Sequence, residues 1–409
     1  VINGYATMKN CAVLIKDYKI IDVFNETRFH QKHFKDSVTF IDINGAYIAP
    51  GFIDTHIHGI GGYGTDDLSP DSVLKMSKKL VVYGVTSFIP TLYSAPKGEL
   101  IKGIRAIVDA MGKEEGAKIL GIHLEGPFIS PDRLGVQSPD SLSPVDLKLM
   151  DELWEASEGK IVNMTVAPEL KHMRELALNC IAKGIVLQAG HTNATYEQMV
   201  EGMQARIMHV THLFNAMSRM HHRNPGTVGA VFIHPEISCE IIADGIHINP
   251  DIIKFLLRCK PIDRLVLVTD SLKPTEQKKG PLIANGDEVY LDECFYRKSD
   301  NVIAGSAMTM LKGVKNLVSF GLSLEQAVQM SSLNPARIMK QEHLGLIAPG
   351  YDADLVVFDK NFNNLYTIIG GVLYHQGGKT LCPGIADRIH ASRYVSRTHQ
   401  PVSGGKSLF

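Results

Sequence analysis

No run of apolar residues in this chain approaches the roughly 18–20 that a membrane-spanning helix needs, and Val1-Ile2-Asn3-Gly4 opens neither a basic nor an apolar leader segment. No membrane association is therefore expected. An excess of charge of either sign is missing too: 42 Lys and Arg stand against 43 Asp and Glu, so no global field draws the chain to nucleic acid or to an anionic membrane. Any anionic ligand must be recognised locally. Cysteine is sparse, and Cys11, Cys180, Cys239, Cys259, Cys294 and Cys382 include no Cys-x-x-Cys pair, which argues against a zinc knuckle and against a disulfide framework. Reduced thiols and a cytoplasmic protein are the expectation. What is present is an ordinary globular balance, 44% hydrophobic and 21% charged over 409 residues, enough for one large domain and a smaller one.

From about Ala12 to Ile48, short alternating segments such as Ala12-Val13-Leu14-Ile15 and Lys19-Ile20-Ile21-Asp22-Val23 are separated by polar turns, the pattern of a small β domain. From Gly51 the texture changes to apolar strand, loop and amphipathic helix, repeated. Strand ends fall near His58, Pro90, Glu125, Ala167, His191, His212, Asp244 and Asp270. Their mean step of about 30 residues suits one βα unit. The series predicts a TIM-like (β/α)8 barrel, with its active site at the carboxyl ends of the strands. Between Ile283 and Val302, the turn signal Asn285-Gly286-Asp287 followed by Glu288-Val289-Tyr290-Leu291 predicts a hairpin excursion. Helical periodicity resumes over 307–317 and 324–339, and Leu355-Val356-Val357-Phe358 is expected to return to the N-terminal β domain. The expected class is α/β: a barrel over residues 50–344, a smaller discontinuous β-sandwich domain from 1–49 and 345–380, and an irregular tail over 381–409.

Chemistry is concentrated at the strand ends. In Asp54-Thr55-His56-Ile57-His58-Gly59 the two histidines are two apart, so a strand points both imidazoles to one side. A lone His-x-His is weak, but later apolar runs share the design. Ile122-His123-Leu124 leads to Glu125, Val186-Leu187-Gln188-Ala189-Gly190 to His191, Met208-His209-Val210-Thr211 to His212, and Leu265-Val266-Leu267-Val268-Thr269 to Asp270. Groups that bind metal or move protons recur where a barrel gathers them. His123 and His209, inside their strands, are read as hydrogen-bonded core histidines.

These strand-end groups, with His123-Leu124-Glu125-Gly126-Pro127-Phe128, Gly190-His191-Thr192-Asn193-Ala194, Thr211-His212-Leu213-Phe214-Asn215-Ala216-Met217, Ala243-Asp244-Gly245-Ile246-His247 and Ala304-Gly305-Ser306-Ala307-Met308, resemble the metal-dependent amidohydrolase superfamily. More narrowly they resemble its N-acetylglucosamine-6-phosphate deacetylase family, over about Val13 to Tyr374. The resemblance implies a divalent metal, Zn2+ or Fe2+, held by Glu125, His191 and His212. His56 and His58 permit a second ion that shares Glu125, giving one or two ions per subunit. It further implies Asp270 as the catalytic group, taking a proton from the attacking water and returning one to the leaving amine. A helix N-cap before Ser271-Leu272 is the alternative for that aspartate.

For the phosphosugar, the resemblance assigns Arg223 to the phosphate, reaching in from a neighbouring subunit of a homodimer, because Arg grips phosphate bidentately. A solvated surface loop is the alternative for His221, His222 and Arg223. Val136, Gln137, Asn215, Ala216 and His247 are implied substrate contacts, with Ile303, Ala304 and Gly305 lining the sugar. At Gln137 a branch of the family carries a His that polarises the substrate carbonyl; a glutamine amide can still donate there but carries no charge. The implied reaction is hydrolysis of N-acetylglucosamine 6-phosphate to glucosamine 6-phosphate and acetate. The rivals are another amidohydrolase, a cyclic-amide hydrolase or a deaminase, and a non-catalytic barrel serving as a binding module. The former rivals commonly use a fourth-strand lysine, which Val162-Asn163-Met164-Thr165-Val166-Ala167 does not offer.

Overall fold

The computed structural model describes residues 1–35 and 38–380; the tail expected over 381–409, with Cys382, lies outside the described residues. Eight strands follow in chain order: β1 (Phe52–Ile57), β2 (Val85–Leu92), β3 (Ile122–Glu125), β4 (Ile161–Val166), β5 (Val186–Ala189), β6 (His209–Val210), β7 (Ser238–Ile242) and β8 (Leu265–Val268). Each pairs in parallel with the next, from Phe52 opposite Val85 to Ile242 opposite Val268. Every end lies within about two residues of the expected one, because strands covered on both faces read as continuous Val, Ile and Leu runs that stop where burial stops. All residues of β1, β2, β3, β7 and β8 are buried.

Helices return the chain between strands. In Pro70–Leu80 the proline occupies the first turn, where no N–H is needed, and Lys78 and Lys79 lie at the negative end. Its buried residues Val73, Met76 and Leu80 recur at helical spacing and cover the barrel.

The seam between β8 and β1 closes without a strand ladder among the described residues. Instead the Asp270 N–H donates to the His56 carbonyl at 2.9 Å. Thr269 donates its N–H and Oγ1 to the Asp54 carboxylate at 3.2 and 2.6 Å. Burial pushes the Asp54 carboxyl up to about 7 against those hydrogen bonds.

Antiparallel sheets form a second domain. Tyr47–Pro50 pairs with Leu355–Phe358, which continues through Asn364–Ile369 to Val372–Gln376, so early and late segments of the chain share one sheet. The hairpin of Cys11–Lys16 and Lys19–Asn25 adds Ile20 to a small core with Ile347, Ala353 and Leu355. One departure from the expected strands and turns is a short helix at Glu26–Gln31, capped by the Asn25 side chain accepting from the Arg28 N–H. Six residues without a buried face leave no helical period to read.

The excursion after β8 forms four antiparallel strands, Ile283–Ala284, Asp287–Leu291, Phe295–Arg297 and Ile303–Gly305. Their side chains Ala284, Val289 and Phe295 pack with Tyr93 and Leu272, making a wall at the barrel mouth. Helix then resumes at Met310–Ser319 and runs from Leu324 to Ile338 through a wider turn at Gln329–Leu333.

Candidate active site and metal centre

His56 lies on β1 with His58 just past its end, Glu125 closes β3, and His191, His212 and Asp270 stand two residues beyond β5, β6 and β8. The last three have φ of +46°, +26° and +47°, left-handed values that cost a non-glycine residue about 1–2 kcal/mol each. The chain bends at each so that the side chain enters the mouth. Hydrogen bonds enforce the bends: Ser130 N–H to the His191 carbonyl, Asn215 N–H to that of His212, and Ser306 N–H to that of Asp270. No helix begins at Ser271, so Asp270 is not an N-cap.

Glu125 is the meeting point. Its Oε1 lies 3.2 Å from His191 Nε2, 3.1 Å from His212 Nε2 and 3.4 Å from His56 Nε2, while its Oε2 lies 3.4 Å from His58 Nε2. His191 and His212 face each other, Nε2 to Nε2, at 3.1 Å. Two buried triads result, Glu125–His191–His212 and His56–His58–Glu125, with the carboxylate common to both. Asp270 Oδ1 is 3.4 Å from His58 Nε2 and 3.6 Å from His56 Nε2.

The donor set fits a divalent cation. Ligand bonds of about 2.0–2.2 Å in a tetrahedron put donor atoms about 3.3–3.6 Å apart, close to the spacings here. His56 Nε2 is buried without a hydrogen-bond partner while two carboxylates face it. Burial opposes charge on His56, Glu125 and Asp270, yet interaction prevails. Glu240 and Asp270 push the His56 pKa well above its ordinary value. His191, foremost, then His212 and His56 hold Glu125 well below its own. Asp270 is lowered by His56 and His58. It is a carboxylate beside the triads, its ionised form favoured by the two imidazoles.

Surrounding atoms orient the imidazoles. His191 Nδ1 lies 3.0 and 3.1 Å from the Arg133 and Leu134 carbonyls, which accept only, so a proton sits there and Nε2 is the nitrogen turned to the centre. His58 stacks on Tyr93 with ring centroids 3.8 Å apart. Glu240 stands behind His56, its Oε2 2.9 Å from Nδ1. Tyr93, Glu240 and Asp54 escaped the sequence reading. For the two acids a signal existed, since an ionisable residue inside an otherwise apolar strand needs a buried partner. His123 is core, bonded to Thr91, Thr165 and Gln188, and His209 meets Ser238.

The expected substrate contacts divide. Gln137, expected to face the substrate carbonyl, donates Nε2 to Glu125 Oε2 at 2.7 Å and accepts from the Ser94 N–H at 3.1 Å. Both ends of its amide are committed to the protein, because the loop after β3 folds back under the carboxylate. The Val136 carbonyl accepts from Arg297 at 3.3 Å, and Val136 and Ala304 share a wall with Tyr93 and Leu272. Ile303-Ala304-Gly305 runs against Asp270: a Cβ on Gly305 would come within 3.0 Å of its carbonyl. Asn215 and Ala216 form the turn after His212, with the Ala216 carbonyl accepting from the Thr192 N–H. His247 has Nδ1 2.6 Å from Asp244 Oδ2, which leaves Nε2 for another partner. Arg223 stands apart: it is exposed, Nη1 lies 2.8 Å from His222 Nε2, and among the described residues its hydrogen bonds stay in its own loop.

Barrel and centre together define a hydrolase with a histidine–carboxylate metal-binding site. The chain belongs to the amidohydrolase family, whose model matches residues 47–374. It is 32% identical over 374 residues to the N-acetylglucosamine-6-phosphate deacetylase of Lysinibacillus sphaericus, covering 91% of this chain and 95% of that one. The crystal structure of the deacetylase of that name from Pasteurella multocida matches with a TM-score of 0.84 at 27% identity, over 90% of this chain and 96% of the other. An aspartate-to-alanine mutant of the Mycobacterium smegmatis deacetylase, in complex with N-acetyl-D-glucosamine-6-phosphate, matches with a TM-score of 0.82 at 27% identity, over 89% and 94%.

Proposed function

We propose that this protein hydrolyses the acetamide of N-acetylglucosamine 6-phosphate to glucosamine 6-phosphate and acetate, a step of amino-sugar catabolism or cell-wall recycling. The observation that carries it is the pair of buried triads sharing Glu125, with Asp270 beside them, in a chain whose relatives bear that activity's name.

Glu125, His191 and His212 would hold one ion, and His56 and His58 with Glu125 a second; imidazole and carboxylate together suit Zn2+ or Fe2+. A cation held there supplies a Lewis acid that polarises the amide carbonyl and makes water acidic enough to attack near neutral pH. Asp270, held ionised, accepts the proton of the attacking water and then returns one to the amine as the C–N bond breaks. Gln137 keeps Glu125 oriented. His247, its Nδ1 fixed by Asp244, presents Nε2 to the sugar, and the Asn215-Ala216 turn with Val136, Ile303, Ala304 and Gly305 completes the wall around it.

Arg223 takes the phosphate of the neighbouring subunit's substrate in a homodimer, consistent with its exposure and with hydrogen bonds that stay within its own loop among the described residues. The catalytic unit in this reading is residues 50–344, with 1–49 and 345–380 as the supporting domain. Free thiols at the five described cysteines favour a cytoplasmic enzyme; among the described residues no helix is long and apolar enough to cross a membrane.

The test is acetate release from N-acetylglucosamine 6-phosphate and from the unphosphorylated sugar, with metal-loaded and chelator-stripped protein and with Arg223→Ala. Metal-dependent turnover of the phosphorylated sugar alone is expected, with KM raised about 10- to 100-fold in the variant, the scale of a lost charged contact. A metal-loaded protein inert to both sugars sinks the proposal.

A further inference from the structure

Behind the metal-binding centre lies a carboxylate that the reaction does not use. Glu240 is fully buried on β7, among Ser238, Cys239, Ile241 and Ile242. A carboxylate at that depth requires donors, and one of its oxygens gathers three. Oε2 lies 2.7 Å from Thr211 Oγ1, 2.9 Å from His56 Nδ1 and 3.3 Å from the His212 backbone nitrogen. A backbone N–H can only donate, so Oε2 is an acceptor and draws the imidazole proton of His56 to Nδ1. In the neutral imidazole that a metal ion requires, the other nitrogen, Nε2, then carries the lone pair.

That lone pair faces Glu125 Oε1 at 3.4 Å and Asp270 Oδ1 at 3.6 Å, and Nε2 has no hydrogen-bond partner. A neutral imidazole and two carboxylates facing one another repel unless a cation lies among them, a metal ion or, without one, the proton that His56 retains. Thr211 and His212 are consecutive, so the oxygen that fixes the His56 ring also grips the backbone that carries His212, a member of the other triad.

We infer that Glu240 is the positioning residue of the whole centre: through one oxygen it sets the His56 tautomer for the second ion and seats the His212 backbone for the first. The inference rests on the metal-dependent reading above. Charge and shape can be separated at this position. Glu240→Gln still offers an oxygen to Thr211 and His212 but loses the negative charge that holds the His56 proton. Glu240→Ala removes both supports.

The experiment is equilibrium dialysis of zinc into chelator-stripped full-length protein, repeated with cobalt so that its absorption spectrum reports the ligand field at each site. In Glu240→Gln the second ion is expected to bind about 10- to 100-fold more weakly, the effect typical of a lost supporting group, while the first shifts by less than about threefold. In Glu240→Ala both are expected to weaken. Equal affinities in Glu240→Gln and wild type, or equal weakening of both ions in Glu240→Gln, overturns the inference. Should the variants not fold, nitrogen-15 spectra of the zinc-loaded wild type decide, with His56 assigned by its loss in His56→Asn: a proton on Nδ1 supports the role and a proton on Nε2 overturns it. A wild type that binds one ion overturns this inference and leaves the proposed reaction standing. A protein that binds two ions in the expected pattern yet releases no acetate does the reverse.

Discussion

His191 and His56 both present Nε2 to Glu125, but the atoms behind them differ: His191 leans on two backbone carbonyls, His56 on the buried carboxylate of Glu240. A carbonyl fixes a tautomer without adding charge, so the Glu125–His191–His212 half has one carboxylate for two imidazoles. The His56–His58 half is set among Glu125, Asp270 and Glu240, three carboxylates for two imidazoles. One half has a single carboxylate. The other is acid-rich, calls for a cation to balance it, and contains Asp270, the base of the proposed reaction.

The sharpest break in this comparison is Asp270→Asn. Removing the base without removing a strong ligand is expected to lower kcat by about 10²–10⁴-fold, with zinc content unchanged by atomic emission; loss of metal with activity would make Asp270 a ligand first. Next come His191→Asn and His58→Asn, compared for bound zinc. His191→Asn is expected to empty the single-carboxylate half and to weaken total binding more than about 100-fold, beyond the range of supporting groups, whereas His58→Asn keeps one ion per chain. Identical stoichiometry in the two variants would erase the distinction between the halves.

Gln137→Ala is a smaller effect with a diagnostic split. If the amide holds Glu125, zinc affinity falls by about 10-fold; if it polarised the substrate, kcat would fall with zinc affinity unchanged. Asp54, under the acid-rich half, gives the smallest and most gradual effect. Its folded pKa of about 7 lies above the unfolded value of about 3.9, so between those pH values the native state keeps a proton that the unfolded chain has released. Stability must then fall as pH rises from about 4 to 7 and stay level above, a contribution on the order of 1–4 kcal/mol. Urea unfolding of metal-free wild type and Asp54→Asn across that range checks it: the variant is expected to lose this part of the slope.

Much of the barrel was legible because buried parallel strands need unbroken apolar runs and each must end where side chains reach the mouth. The strand-end residues His58, Glu125, His191, His212 and Asp270 were visible for that reason. Gln137 was legible as a position near the site but its hydrogen bonds to Glu125 and Ser94 were not, since the direction of its amide depends on how the loop after β3 folds beneath Glu125. The short helix at Glu26–Gln31 has no buried face, so nothing in the pattern marked it.

By itself the sequence determined the order of the strands, the face on which His56 and His58 emerge, and the set of groups delivered to the mouth, because backbone geometry fixes period and side within a strand. Only the tertiary structure decided the pairings. Glu240 meets His56 across 184 residues of chain, Asp54 closes the seam with Thr269 across 215, and Glu125 is shared by two triads. Those contacts exist because the sheet curls until β8 reaches β1, and nothing in local sequence encodes which residues then stand face to face.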